Sequence, residues 1–160
     1  MALPQLIAED IQEFERVLGE LLTRSEAIAA MIIDKAGFLI TQCGEGENFD
    51  STTLAALAAG SYAATQGMAS VVSEPNFNSV YQQGENFSLL VQNVDGETLL
   101  LVVFASHVSV GAVKYFANTA GPQLARQFEA SRVRNPDAGI DLAMMNMEDS
   151  SGYFRKVAGA

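Results

Sequence analysis

Apolar positions recur along the chain with two different periods, and the changes of period divide it into helices and strands. Residues 3 to 24 place Leu3, Leu6, Ile7, Ile11, Phe14, Val17, Leu18, Leu21 and Leu22 in steps of three and four, with acids and amides opposite. This predicts an amphipathic first helix. Pro4 suits its first turn, where a missing N–H is not needed, and Glu9 and Asp10 lie toward the positive end of its dipole. Two apolar runs of strand length follow, Ala27 to Asp34 and Phe38 to Cys43. The intervening Asp34-Lys35-Ala36-Gly37 predicts a hairpin, because Asp can hold the start of a tight turn and Gly accepts a positive φ.

An acidic, glycine-rich loop then leads to Asp50 and Ser51, either of which can cap a helix by accepting from its first N–H groups. Between Asp50 and Ser73 no charged side chain occurs and small residues crowd together. A helical reading sets Ala56, Gly60 and Ala64 on one line and Ala59, Ala63 and Gly67 on the next, giving a nearly flat face that another backbone can approach closely. Pro75 ends this helix near Val71 or Val72. Strand patterns resume at Phe77 to Gln83, Phe87 to Val94 and Glu97 to Ser106, the last two joined by Asp95-Gly96, a strong hairpin signal. Leu99 to Ala105 is apolar on both faces, as a central strand is, whereas Phe77 to Gln83 mixes polar residues into both faces and reads as an edge that needs cover.

Val113, Phe116, Ala117, Ala120, Leu124 and Phe128 keep a helical step in a last helix. Pro122 predicts a kink there, or two pieces meeting near Gly121. The pattern fades after Arg134. Residues 1–134 are therefore expected to form one domain, and residues 135–160 a tail whose Ile140, Leu142, Met144, Met145 and Met147 are too apolar to be left in water, docking on the domain or on a partner.

Composition narrows the function classes. At 160 residues the chain is long enough for one packed domain, and 49% hydrophobic with 18% charged residues is ordinary for a globule. A net charge of -10, with nine scattered Lys and Arg, repels phosphate and argues against nucleic acid. The uncharged stretch after Asp50 has the length of a membrane span, but Ser51, Thr52, Thr53, Ser61, Thr65, Gln66 and Ser70 interrupt it, so insertion is not expected. One cysteine and the lack of a basic, then apolar, leader point to the cytoplasm.

Catalytic chemistry finds few candidates. The pair Gly-Lys of a Walker-type loop never occurs, and Gly44-Glu45-Gly46-Glu47 would present carboxylates to a phosphate. Cys43 and His107 are the only sulfur and imidazole ligands, and a packed thiol and a locally bonded ring account for them. The acids Glu9, Asp10, Glu13, Glu20 and Glu26 sit on the polar side or at the end of the first helix, where solvation explains them. No catalytic residue, metal or cofactor is expected. An alanine-rich helix can simply lie close on its own sheet, but here small residues cover more than one face, and Tyr62, Gln66 and Met68 suit an adaptable contact. A second chain against this helix is the favoured reading.

The order helix, two strands, helix, three strands, helix resembles the Roadblock/dynein light chain family, including its bacterial MglB-like members. The resemblance is carried by the hairpin AAMIIDKAGFLI, the small-residue helix STTLAALAAGSYAAT, the hairpin FSLLVQNVDGETLLLVVF and the step VSVGAVKYFA, and it covers about Leu3 to Arg132. It implies an α+β, profilin-like three-layer sandwich: a five-stranded antiparallel sheet with the first and last helices on one face and the second helix on the other. It further implies a homodimer in which third strands pair and second helices pack, through Ala56, Gly60, Ala63, Ala64, Gly67, Phe77, Ser79, Val80 and Tyr81. Such dimers engage a small Ras-like GTPase, and MglB-like members promote its GTP hydrolysis without a catalytic residue of their own; Tyr62, Gln66 and Met68 are the candidate contacts. The alternative is a small-molecule-sensing module of profilin-like or PAS-like plan, which needs a deep pocket against the sheet.

Overall fold

The computed structural model describes residues 3–134. The elements run α1 (Ala8–Ser25), β1 (Ala29–Asp34), β2 (Leu39–Gly44), a single 3₁₀ turn (Gly46–Asn48), α2 (Ser51–Val71), β3 (Ser79–Gln83), β4 (Phe87–Asn93), β5 (Thr98–Ala105) and α3 (Val110–Arg134). The strands form one antiparallel sheet in the order β2-β1-β5-β4-β3. The doubly apolar strand, β5, is at the centre, and the polar-patterned β3 is at an edge, as the alternation requires.

Strand alternation sorts the core into two layers. Ala30, Ile32, Leu90, Leu100, Val102 and Phe104 face α1 and α3, whose Phe14 and Phe128 rings meet with centroids 4.5 Å apart. Met31, Ile33, Val91, Leu99, Leu101 and Val103 face α2, which contributes Ala55, Ala58, Ala59 and Tyr62. Small side chains let α2 lie close on the sheet, while the bulkier layer opposite is filled by phenylalanines and leucines.

Both hairpins form at the expected turns. Asp34 Oδ1 accepts from the Ala36 N–H at 2.6 Å, Gly37 takes φ +104°, and the β1–β2 register shifts between Ile32 and Ile33. In the β4–β5 turn Asp95 Oδ1 accepts from Glu97 N, Thr98 N and Thr98 Oγ1 at 2.8 to 2.9 Å.

Two expectations need correction. The first helix does not include Pro4: the Asp10 carboxylate accepts from the Ile7 N–H at 2.8 Å, which fixes Ile7 as the cap and leaves buried Leu3 and Pro4 in the segment before it. Along the apolar stripe Leu18 is fully buried, while Leu6, before the helix, and Leu22 are half-buried. Finally, α3 is one helix across Pro122 and not two pieces. Pro122 and Asn118, whose carbonyl the missing N–H leaves without its helical donor, are both exposed, so water can take that bond.

Candidate functional site

The outer face of α2 is open. Asp50 caps the helix, its Oδ1 accepting from Thr53 N at 3.0 Å and its Oδ2 from the Thr53 hydroxyl at 2.6 Å, and these bonds hold its carboxyl below the usual range. From there Ala55, Ala58, Ala59, Tyr62 and Ala69 turn inward. Ala56, Gly60, Ala63, Ala64 and Gly67 are exposed, and a Cβ added at Gly60 or Gly67 would meet nothing within 4 Å. The same side carries Leu57, Met68 and Val71, 65%, 58% and 84% exposed, with Val72 at 64% just beyond. Leu57 and Val71 were not among the sequence-derived candidates, because attention to smallness passed over them. The step 57, 60, 64, 68, 71 was nevertheless readable as one helical line.

Tyr62 and Gln66 are placed differently from the surface role expected of them. The Tyr62 ring is buried on the sheet, and its hydroxyl donates to the Phe77 carbonyl at 3.2 Å. Half-buried Gln66 spends both ends of its amide on the same residue, Nε2 donating to Phe77 O at 2.7 Å and Oε1 accepting from Phe77 N at 3.3 Å. Together they fasten the segment that enters β3 to the side of α2. Met68 remains outward and exposed.

Phe77 shortly precedes β3, which contains Ser79, Val80 and Tyr81. Among the described residues this strand pairs only with β4, from Ser79 opposite Gln92 to Gln83 opposite Ser88, and no described strand lies on its other backbone side. Val80 packs toward the α2 layer, and Tyr81 lies on the other face with its ring 6.1 Å from Phe104. Thus α2 and β3, the two elements proposed for contact, are adjacent and joined.

Two clefts flank the entry to β3. One, of about 530 Å³, lies between α2 and the hairpin turns and is lined by Lys35, Tyr62, Gln66, Asn76, Asn93 and Asp95 among others. Lys35 Nζ donates to the Asp95 carbonyl at 3.0 Å and stands 5.6 Å over the Tyr62 ring. The other, of about 480 Å³, lies toward α3 and includes Gln92, Lys114 and Asn118. Both open to solvent, unlike the deep pocket a metabolite sensor needs.

Cys43 and Asp95 have structural partners. Cys43 is half-buried, its thiol pushed up by burial and by Glu15, and its Sγ donates to the Glu15 carbonyl at 3.6 Å; His107 is exposed. Among the described residues no group of three or more His, Cys, Asp or Glu is placed to hold a metal, and no helix is long and apolar enough to cross a membrane. Burial disfavours the charged form of Asp95, but donors from Glu97, Thr98 and Arg132 outweigh it and hold the carboxyl below its ordinary range.

Comparison with known proteins bears on the same geometry. The sequence profile of the Roadblock/LC7 domain matches residues 13–104, from within α1 to β5. Among solved structures, Myxococcus xanthus MglB is 30% identical with a TM-score of 0.74, the match covering 79% of this chain and 96% of that one. The gliding protein MglB of Thermus thermophilus is 31% identical, with a TM-score of 0.73 and coverage of 81% and 98%. Profilin II of Acanthamoeba castellanii, 15% identical with a TM-score of 0.52 over 71% of this chain and 98% of its own, shares the fold alone. No curated protein sequence matches. On the profile match and the two MglB structures, the chain belongs to the Roadblock/LC7 domain family.

Proposed function

We propose that the protein is a cytoplasmic homodimer that regulates or scaffolds a small Ras-like GTPase and contributes no catalytic residue of its own. The observation that carries this reading is the outer face of α2: uncharged, small at Gly60, Ala63, Ala64 and Gly67, apolar at Leu57, Met68 and Val71, and exposed in the single chain. A face of that kind, beside the edge of β3 that no described strand covers, suits a helix-to-helix and strand-to-strand contact with a second copy. The likeness to MglB supports it, as does a related MglB structure, 30% identical, described as having a tetrameric arrangement. The paired α2 helices would then form the platform that a GTPase meets, with Met68 and Leu57 as apolar contacts.

Light scattering of the purified full chain tests the first half, with twice the monomer mass expected at micromolar concentration and a monomer overturning it. The second half is tested by affinity capture from the native cytoplasm with a GTP analogue or GDP added. A Ras-like GTPase should be retained in one nucleotide state more than in the other. Retention of no GTPase in either state rejects that part and leaves the dimer standing on its own evidence.

A further inference from the structure

The two clefts beside the entry to β3 meet at a shared wall. Asn78 and Asn93 line both, and the Asn93 N–H donates to the Asn78 carbonyl at 2.9 Å, so this pair is the waist of one trough. Its charge is unusual for this chain, which carries 19 acids against nine Lys and Arg. Arg16, Arg24, Arg132 and Arg134 are each paired with a carboxylate. Among the described residues Lys35, Lys114 and Arg126 make no such pair, and two of these three stand on the trough, Lys35 in one half and Lys114 in the other.

Both ammonium groups have donors to spare. Lys35 Nζ gives one of its three to the Asp95 carbonyl, and Lys114 is exposed. The one acid in either lining, Asp95, is already engaged by Arg132, Thr98 and the Glu97 N–H, so it does not compete for them. Between the lysines the trough is suited to a polypeptide backbone. The exposed amides of Asn76, Asn78 and Asn118 each carry a donor and an acceptor, as a peptide group does. Two acceptors also stand in need of an N–H. Pro122 deprives the Asn118 carbonyl of its helical donor in the wall nearest α3, and Asn93 Oδ1 at the waist is buried with no donor, which a turn of its terminal amide would bring to a partner.

We propose that this trough docks an acidic, extended segment of another protein, which lies across Asn78 and Asn93 with one carboxylate on Lys35 and another on Lys114. Its backbone N–H groups serve Asn93 Oδ1 and the Asn118 carbonyl. The inference stands on the two clefts and their charge, and it holds whether the outer face of α2 meets a second copy or a GTPase. The expected tail, residues 135–160, lies outside the described residues and is given no place in the trough.

A displayed library of random peptides of about ten residues, roughly 30 Å when extended, selected on the immobilised full chain, tests it. Enriched peptides should carry Asp or Glu at two separated positions. The tightest of them, synthesised and titrated, should shift the backbone amide resonances of Asn78, Asn93 and Asn118. Lys35→Gln and Lys114→Gln should each weaken its binding about tenfold, and added salt should weaken it further. Lys114 is exposed and unpaired among the described residues, so its variant reports on binding even where Lys35→Gln disturbs the turn. Failure to enrich any peptide, enrichment of peptides without acids, binding unchanged by both substitutions, or shifts confined to the outer face of α2 would overturn the proposal.

Discussion

Asp10 is the most consequential polar residue in the fold, and replacing it with Asn gives a prediction in both size and pH dependence. Its side chain is fully buried, yet it accepts from Ile7 N at 2.8 Å, Gln127 Nε2 at 2.7 Å and both terminal nitrogens of Arg134. The Arg134 bonds, offset in part by burial and reinforced by Ile7 and Gln127, hold the carboxyl far below the usual carboxylate range. Asn keeps one acceptor oxygen but turns an NH₂ group toward donors. A hydrogen bond to a charged group contributes about 1.5–3 kcal/mol, and Arg134, partly in water, can rehydrate, so Asp10→Asn should cost about 2–4 kcal/mol at pH 6. A carboxyl depressed in the folded state stabilises fully above its unfolded pKa and loses that contribution as pH falls through 3.8 toward the folded value. At pH 3 the unfolded chain has taken up most of this proton and the folded chain has not. The gap between the two proteins should narrow by about 1 kcal/mol from pH 6 to pH 3. Urea unfolding followed by circular dichroism at both pH values measures it, at one protein concentration because a dimer's midpoint depends on concentration. A gap of the same size at both values would show that the Asp10 charge does not hold α1 to α3.

Other substitutions test the remaining layers. Phe14→Ala should cost about 3–5 kcal/mol in urea unfolding, since the ring is fully buried against Phe128 and its loss opens a cavity in the α1–α3 layer. Gly60→Leu should leave the circular dichroism spectrum unchanged, having open space for its side chain, while altering the mass found by light scattering; an unaltered assembly would remove this face from the proposed contact. Gln66→Ala should cost about 1 kcal/mol and speed hydrogen exchange at the Phe77 amide, and an unchanged rate there would contradict the clamp. Alkylation of Cys43 by iodoacetamide at pH 8 should run slower than that of a free thiol, because burial and Glu15 both disfavour the thiolate.

The fold was legible because its signals were periodic and mutually consistent. Apolar runs of strand length in β1 and β4, the doubly apolar β5 and the Asp-Gly turn fixed the sheet, and the three- and four-residue steps of α1 fixed its inner face. What sequence could not reveal were contacts made at long range. The cap at Ile7 depends on Asp10, whose position in turn depends on Gln127 and Arg134 at the other end of the domain. Pro4 and a leucine spacing therefore extended the first helix too far. Likewise Pro122 carries a local signal for a break, and only the exposure of its helical neighbour shows why the helix continues.

Tyr62 and Gln66 illustrate the same limit at the candidate surface and change its meaning. Polar, adaptable side chains on an uncharged helix invite a surface reading, because nothing in the sequence says that Phe77 will stand opposite them. In the structure they satisfy the carbonyl and N–H of Phe77 with three hydrogen bonds, which, with the Asn93 N–H donating to the Asn78 carbonyl, help deliver β3 in register with β4. Strand edge and helix face are thereby held at a fixed offset, so a second copy that fits one must fit the other. Loosening Phe77 should weaken a β3-to-β3 contact even though Gln66 touches no part of it. Dimer dissociation measured for Gln66→Ala against Gln66→Glu, which keeps acceptors but loses the Nε2 donor, separates the two bonds. If both variants associate as tightly as the parent, the edge and the helix act independently and the offset is not what selects the partner.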